Sequence, residues 1–191
     1  MSEIIRCDWC EGLFEDYVTY HDVEWGLPVH DDQKHFEFLV LEGAQAGLSW
    51  ATILKRRSGY KKAFANFDPA IVAQYAEEKI EEILLDPGVI RNRLKVYGAV
   101  TNAKMFLAVQ KEFGSFDNYI WSFVGQQPIV NKRKSMAEIP ATSAESDALS
   151  KDLKKRGFKF VGSTIMYAHM QACGLVNDHK VDCFRYKEVN A

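Results

Sequence analysis

An all-α fold is predicted by three observations on this chain. Apolar residues return at helical spacing along several segments, strand-like runs such as 159–161 never settle into alternation, and capping and stop residues fall where the helical stripes begin and end. The 191 residues are 47% hydrophobic, 26% charged and 13% aromatic, enough to build a core for one domain spanning 1–191, or two helical lobes around a cleft. Disordered, collagen-like and coiled-coil chains are excluded by this composition.

Taken in order, the first strong element runs from Asp32 to Ala46, with Phe36, Leu39 and Val40 on one face and Gly47 as its stop. A second helix is expected from Ser49, placing Ile53, Leu54 and Phe64 on the core side and Lys55, Arg56, Arg57, Lys61 and Lys62 opposite. Pro69 suits the first turn of a short helix after Asp68. Glu77 to Leu85 aligns Ile80, Ile83 and Leu84, and Asp86-Pro87-Gly88 ends it. The next helix is expected from about Arg91 to Phe113, with Val96, Val100, Ala103 and Leu107 as its stripe. Thr142-x-x-Glu145 fits a capping box for a helix that stacks Leu149 over Leu153 and stops at Gly157. Ser163 to Cys173 closes the series, with Cys173 read as core. Residues 126–141 form the least regular stretch.

Charge is uneven. Residues 1–50 hold 11 acidic against 2 basic side chains, so the other 141 hold 15 against 22 and the net of −2 conceals a −9 and a +7 segment. The basic clusters, including Arg91, Arg93 and Lys95, then 132–134 and 154–159, suit either a solvated helical surface or a face for nucleic acid. No apolar run reaches the roughly 20 residues of a membrane span, and the acidic, polar start lacks the pattern of a signal peptide. A cytoplasmic location with reduced cysteines is expected.

Five zinc-type donors lie at the two ends: Cys7, Cys10 and His21, then His179 and Cys183. Spacing alone selects Cys7, Cys10, His179 and Cys183; the alternative exchanges Cys10 for His21. A buried thiol, a surface thiol and two ordinary histidines read equally well from the pattern; as a metal site, four protein ligands leave no open position, so the expected role is structural. In the middle, the helix–Pro-Gly–helix segment 80–104 brings the Gly88 turn, the amides of Val89 to Arg91 and the charges of Arg91 and Arg93 to one place, as a grip on a phosphate requires. A plain helical corner reads equally well. Finally, Glu42 follows Phe36 and Leu39 at six and three positions, so a carboxylate shares the buried face of a helix near Trp9, Tyr17, Tyr20, Trp25 and Trp50. Rings beside an anion make a receptor for a flat cation, while a tryptophan-rich core with a salt-bridged Glu42 is the simpler reading of the same residues.

The strings YHDVEWGLP, LEGAQAGLSW, DPGVIRNRLKVYGAVTNA, WSFVGQQP, SDALSKDLKKRGFKFVGSTI and MQACGLVNDH, in this order over nearly the whole chain, resemble the bacterial 3-methyladenine DNA glycosylase I family of the helix-hairpin-helix DNA glycosylase superfamily. The resemblance implies an all-helical glycosylase fold with one structural Zn2+ joining the N- and C-terminal segments through Cys7, His21, His179 and Cys183. It implies Glu42 as the base-recognising, catalytically important carboxylate, with Tyr20 and Trp50 as pocket rings and Trp9 and Trp25 beside them. It assigns Gly47 and Leu48 to the DNA stack, and Gly88, Arg91 and Arg93 to the backbone. It further implies a base-excision-repair enzyme that flips and hydrolytically releases 3-methyladenine from alkylated double-stranded DNA. Such an enzyme has no lyase step, works as a monomer and needs no obligate protein partner. The stretch Ala103–Val109 lacks the aspartate that many members of the superfamily carry, which makes recognition the main task of Glu42.

Overall fold

The computed structural model describes residues 4–189; the first three residues of the polar N-terminal stretch and the last two of the chain lie outside that range. Eleven α-helices and two short strands are found among the described residues: α1 (Glu15–Val23), α2 (Asp32–Gln45), α3 (Trp50–Leu54), α4 (Arg57–Ala63), α5 (Pro69–Val72), α6 (Glu77–Leu85), α7 (Arg93–Phe113), α8 (Phe116–Trp121), β1 (Ile129–Val130), α9 (Ala144–Arg156), α10 (Ser163–Ala172), β2 (Val176–Asn177) and α11 (Arg185–Glu188). None of the helices is long and apolar enough to cross a membrane.

The organising element is α2. It starts where Asp31 accepts a hydrogen bond from Lys34 N at 2.7 Å, and it buries side chains all round: Phe36, Phe38, Leu39, Val40, Leu41 and Ala44 are each at most 4% exposed. A helix apolar on every side belongs in the interior, and α7, α8, α10 and α3 pack around it. Phe36 meets Phe106 of α7 edge-on at 5.3 Å, and Phe106 stacks on Phe116 of α8 at 4.1 Å. Asp32, in the first turn of α2, reaches across to accept from the amides of Phe116 and Asp117, which caps α8 and fixes it against α2.

The predicted helices form, with instructive shifts. The segment after Ser49 breaks at 55–56 into α3 and α4, so Phe64 is the residue that ends α4 rather than part of one stripe. Helix α7 begins two residues later than expected, at Arg93, because Asn92 caps it by accepting from Lys95 N. Its buried face adds Phe106 and Val109, leaving Leu107 half-buried. The capping box of α9 sits one residue on: Ser143 and Ser146 exchange hydrogen bonds, and Thr142 and Glu145 do not. Helices α1, α8 and α11, too short and too mixed in pattern to announce themselves, complete the set. The irregular stretch is anchored by a two-residue parallel pairing of β1 with β2, Ile129 opposite Val176.

Candidate active site and metal cluster

Glu42 projects from the penultimate turn of α2 into a hollow of about 210 Å³, lined also by Trp9, Tyr17, Tyr20, Trp25, Gln45, Trp50, Met136, Ile139, Ala168 and Gln171. The rings meet at angles rather than in parallel: Trp9 to Tyr17 5.4 Å, Trp9 to Trp25 5.1 Å, Tyr20 to Trp50 5.4 Å between centroids. Their edges and faces wall a slot. Glu42 is 4% exposed, and its Oε2 accepts no hydrogen bond. Removal from water without a compensating partner pushes its carboxyl up to about 8. Trp50 Nε1, likewise shielded, donates to nothing. The slot therefore holds an unused acceptor and an unused donor between aromatic walls, an arrangement that a flat polar molecule completes.

A larger hollow, about 610 Å³, is also lined by Tyr20, and four of its charged side chains pair with one another. Arg57 binds Glu24 and Glu37, and Lys34 binds the same two carboxylates.

Behind the slot, the chain ends meet. Cys7, His21, His179 and Cys183 are buried, with one donor atom of each within 4.8 Å of the others. Cys7 Sγ and Cys183 Sγ both lie 3.6 Å from His179 Nδ1, and Cys183 Sγ lies 3.5 Å from His21 Nε2. The second nitrogens are held from outside: His21 Nδ1 by Asp22 Oδ1 at 2.8 Å, His179 Nε2 by the Trp25 carbonyl at 3.1 Å. Asp22 is in turn gripped by Arg6. Gly26, at φ +82°, lets the backbone approach this point, since a Cβ would stand 2.7 Å from His179 Nε2. Cys10 stays apart, its thiol bonded to the Cys7 carbonyl at 3.1 Å, so the set chosen by spacing alone does not assemble. Trp25 packs 4.5 Å from His179 and Trp9 5.2 Å from His21, so the cluster backs the wall of the slot.

Gly47, at φ +76°, and Leu48, 40% exposed, form the exposed turn that follows α2, next to Gln45 at the slot. Lys95 of α7 donates to the carbonyls of Ala44 and Ala46 at 2.8 and 2.6 Å, tying this turn to the helical hairpin. At the hairpin itself the expectation needs correction. The amide of Gly88 donates to Asp86 Oδ1, that of Val89 to the Asp86 carbonyl, and that of Ile90 to Tyr60 Oη, so these three are turned inward. Arg91 is exposed, whereas Arg93 is paired with Glu81 and Glu77. Other basic clusters are similarly thinned: Arg57, Arg133 and Arg156 all sit in ion pairs.

Tyr17, one of the rings the sequence sets near Glu42, lines the slot, and so do Gln45, Met136, Ile139, Ala168 and Gln171, which the sequence does not assign to it. Met136 and Ile139 come from the irregular stretch, which carries no periodicity to read.

Residues 9–186 match the family model described as methyladenine glycosylase. The chain is 50% identical over 183 residues to DNA-3-methyladenine glycosylase 1 of Escherichia coli (strain K12), covering 95% of this chain and 96% of that one. A crystal structure of a 3-methyladenine DNA glycosylase I superposes with a TM-score of 0.91 at 49% identity, over 94% of this chain and 98% of the other. A second, of the Staphylococcus aureus glycosylase solved for the structural basis of 3-methyladenine recognition, gives 0.90 at 34% identity over 94% and 95%.

Proposed function

The chain belongs to the methyladenine glycosylase family, the group of the bacterial 3-methyladenine DNA glycosylases I, and from that membership we propose a monofunctional base-excision-repair enzyme that extrudes 3-methyladenine from alkylated duplex DNA and releases it by hydrolysis. The single observation that supports this reading is the unpartnered Glu42 carboxylate in a ring-lined slot. An N3-methylated adenine in DNA is a planar cation with an exocyclic amine that donates hydrogen bonds. Rings attract its charge, and the amine supplies the donors that Glu42 lacks.

The chemistry then asks little of the protein. The cationic base is already a good leaving group: the C1′–N9 bond breaks, its electron pair passes to the base and cancels the positive charge, and water bonds to C1′ as it loses a proton. Glu42 lowers the barrier by holding the base in the slot and fixing its plane, and neither a lysine nucleophile nor a lyase step is used. Tyr20 and Trp50 stack on the base, Trp9 and Trp25 bound the slot, Leu48 beside Gly47 fills the gap left in the duplex, and Arg91, exposed beside the Gly88 turn of the helix-hairpin-helix, holds the backbone. Arg93 is assigned to orienting that turn through its ion pairs. The protein acts as a monomer in the cytoplasm, without an obligate protein partner.

The donor set Cys7, His21, His179 and Cys183 suits one Zn2+: two thiolates, two imidazoles with their outer nitrogens already fixed, and a closed position. Bound there, zinc supplies a crosslink between the chain ends and hence the rigidity of the Trp9 and Trp25 wall; it takes no part in the reaction.

Chromatography of free bases from methylated duplex DNA tests the proposal. Glu42→Gln is expected to reduce 3-methyladenine release about 100-fold while leaving the fold and DNA affinity intact. Undiminished release would remove the central role from Glu42.

A further inference from the structure

A second group of donor atoms sits in the core, apart from the slot and from the Cys7 cluster. His35 of α2, His169 of α10 and Cys173 at the C-terminal cap of α10 are fully buried, and one donor atom of each lies within 4.8 Å of the other two. Cys173 Sγ is 3.6 Å from His169 Nε2, the same separation as between sulfur and nitrogen in the Cys7 cluster. A sulfur and an imidazole nitrogen bound to one first-row metal ion at about 2.3 and 2.0 Å are separated by about 3.6 Å. The two imidazole rings lie 5.8 Å apart between centroids, with 26° between their planes.

The second observation is what these rings lack. Nδ1 of His35, a residue sealed from water, makes no hydrogen bond among the described residues; Nδ1 of His169 is unpaired too, but His169 turns its Nε2 and not that atom to Cys173. A buried, unpaired ring nitrogen carries the cost of desolvation with nothing in return. His35 is steered from its other side by Asp117, whose Oδ1 lies 3.4 Å from Nε2 and which also meets His30. A carboxylate behind a histidine is the arrangement that orients an imidazole toward a metal.

The chemistry of the set narrows the guest. Among the described residues no fourth histidine, cysteine or carboxylate joins the group, so the ion has three protein donors. A histidine ligates through the lone pair of a neutral imidazole, so the only ligand charge is that of the thiolate. A monovalent ion then yields a neutral complex, which a dry core tolerates; a dication leaves a net positive charge there. Thiolate and imidazole donors in a three-coordinate set select a soft d10 ion. From this geometry we propose that His35, His169 and Cys173 form a second metal site, separate from the one that joins the chain ends, and that it takes Cu(I). On binding, the Cys173 thiol loses its proton to solvent as the copper–sulfur bond forms, and the copper keeps its oxidation state. Helix α10 also gives Ala168 and Gln171 to the slot, so the ion would pin that wall to α2, which carries Glu42.

The test uses the full chain, loaded with Cu(I) without oxygen against a competing Cu(I) chelator. Crystals of the loaded wild-type protein should show a copper anomalous peak between His35, His169 and Cys173, whatever occupies the Cys7 cluster. In solution, His169→Phe and Cys173→Ser should each retain one copper equivalent fewer than wild type, and Cys183→Ser should keep the equivalent that these two lose. Wild-type crystals without copper at the three residues would overturn the proposal, even if the variants failed to fold. Folded variants that retain the full wild-type complement would overturn it as well.

Discussion

Glu42 and Asp178 are both carboxylates almost fully removed from water, at 4% and 1% exposure, yet their surroundings differ. Asp178 accepts hydrogen bonds from Asn131 Nδ2, Arg133 Nε, Tyr167 Oη and Gln171 Nε2 at 2.6 to 3.0 Å. Glu42 accepts none among the described residues, and its carboxyl rises to about 8 in consequence. The first closes a structural joint between the irregular stretch, α10 and β2. The second is left open in a ring-lined slot. An unpaired buried carboxylate is costly unless something supplies its partner, and that contrast is the ground on which the slot is proposed as the working site.

The contrast can be broken from the Asp178 side with the largest effect. Asp178→Ala strips Arg133 of its partner and frees the segment that carries Met136 and Ile139. Chemical denaturation is expected to show a loss of about 3 to 5 kcal/mol. A loss below about 1 kcal/mol would mean that the joint is ornamental.

From the Glu42 side the sign reverses, and pH sharpens it. The folded chain keeps a proton on Glu42 up to about pH 8, whereas the unfolded chain releases it near 4.5. Between those values the native state binds more protons, so this group makes stability fall as pH rises, with no further loss above about 8. Glu42→Gln removes the penalty. The variant should match wild type near pH 4.5 and exceed it by roughly 1 to 3 kcal/mol at pH 8, read from denaturation midpoints at each pH. A variant less stable than wild type at pH 8 would indicate that Glu42 has a hidden partner.

The smallest effect probes the link between slot and hairpin. Lys95→Met removes the two hydrogen bonds that satisfy the carbonyls ending α2, at a cost of about 1 kcal/mol. Base release from duplex DNA should fall more than binding of free 3-methyladenine, because the Gly47–Leu48 turn loosens while the slot is untouched. Equal losses in both assays would remove Lys95 from that role.

Much of this contrast was legible in the sequence, on one side only. Glu42 is visible because a charge interrupts a strict apolar stripe with aromatic residues nearby, and the helices that carry it obey periodicity and caps. Asp178 is invisible because its four partners lie at 131, 133, 167 and 171, joined only by the pairing of two-residue strands. The same limit hides Met136 and Ile139. At the hairpin, Gly88 and Arg91 are legible as a turn with a charge. The inward turn of the 88–90 amides depends on Tyr60, thirty residues away, and on Gly59, where a Cβ would stand 2.2 Å from the Gly88 carbonyl oxygen. Local pattern predicts elements well. It cannot see which distant side chain consumes a donor.

The open carboxylate can be observed directly by carbon-13 NMR titration of the Glu42 side chain, in the free protein and with saturating 3-methyladenine. The free side chain is expected to titrate near 8 and to move well down when the base supplies hydrogen bonds to its ionised form. Titration near 4.5 in the free protein, or a curve that the base leaves unmoved, would contradict the account.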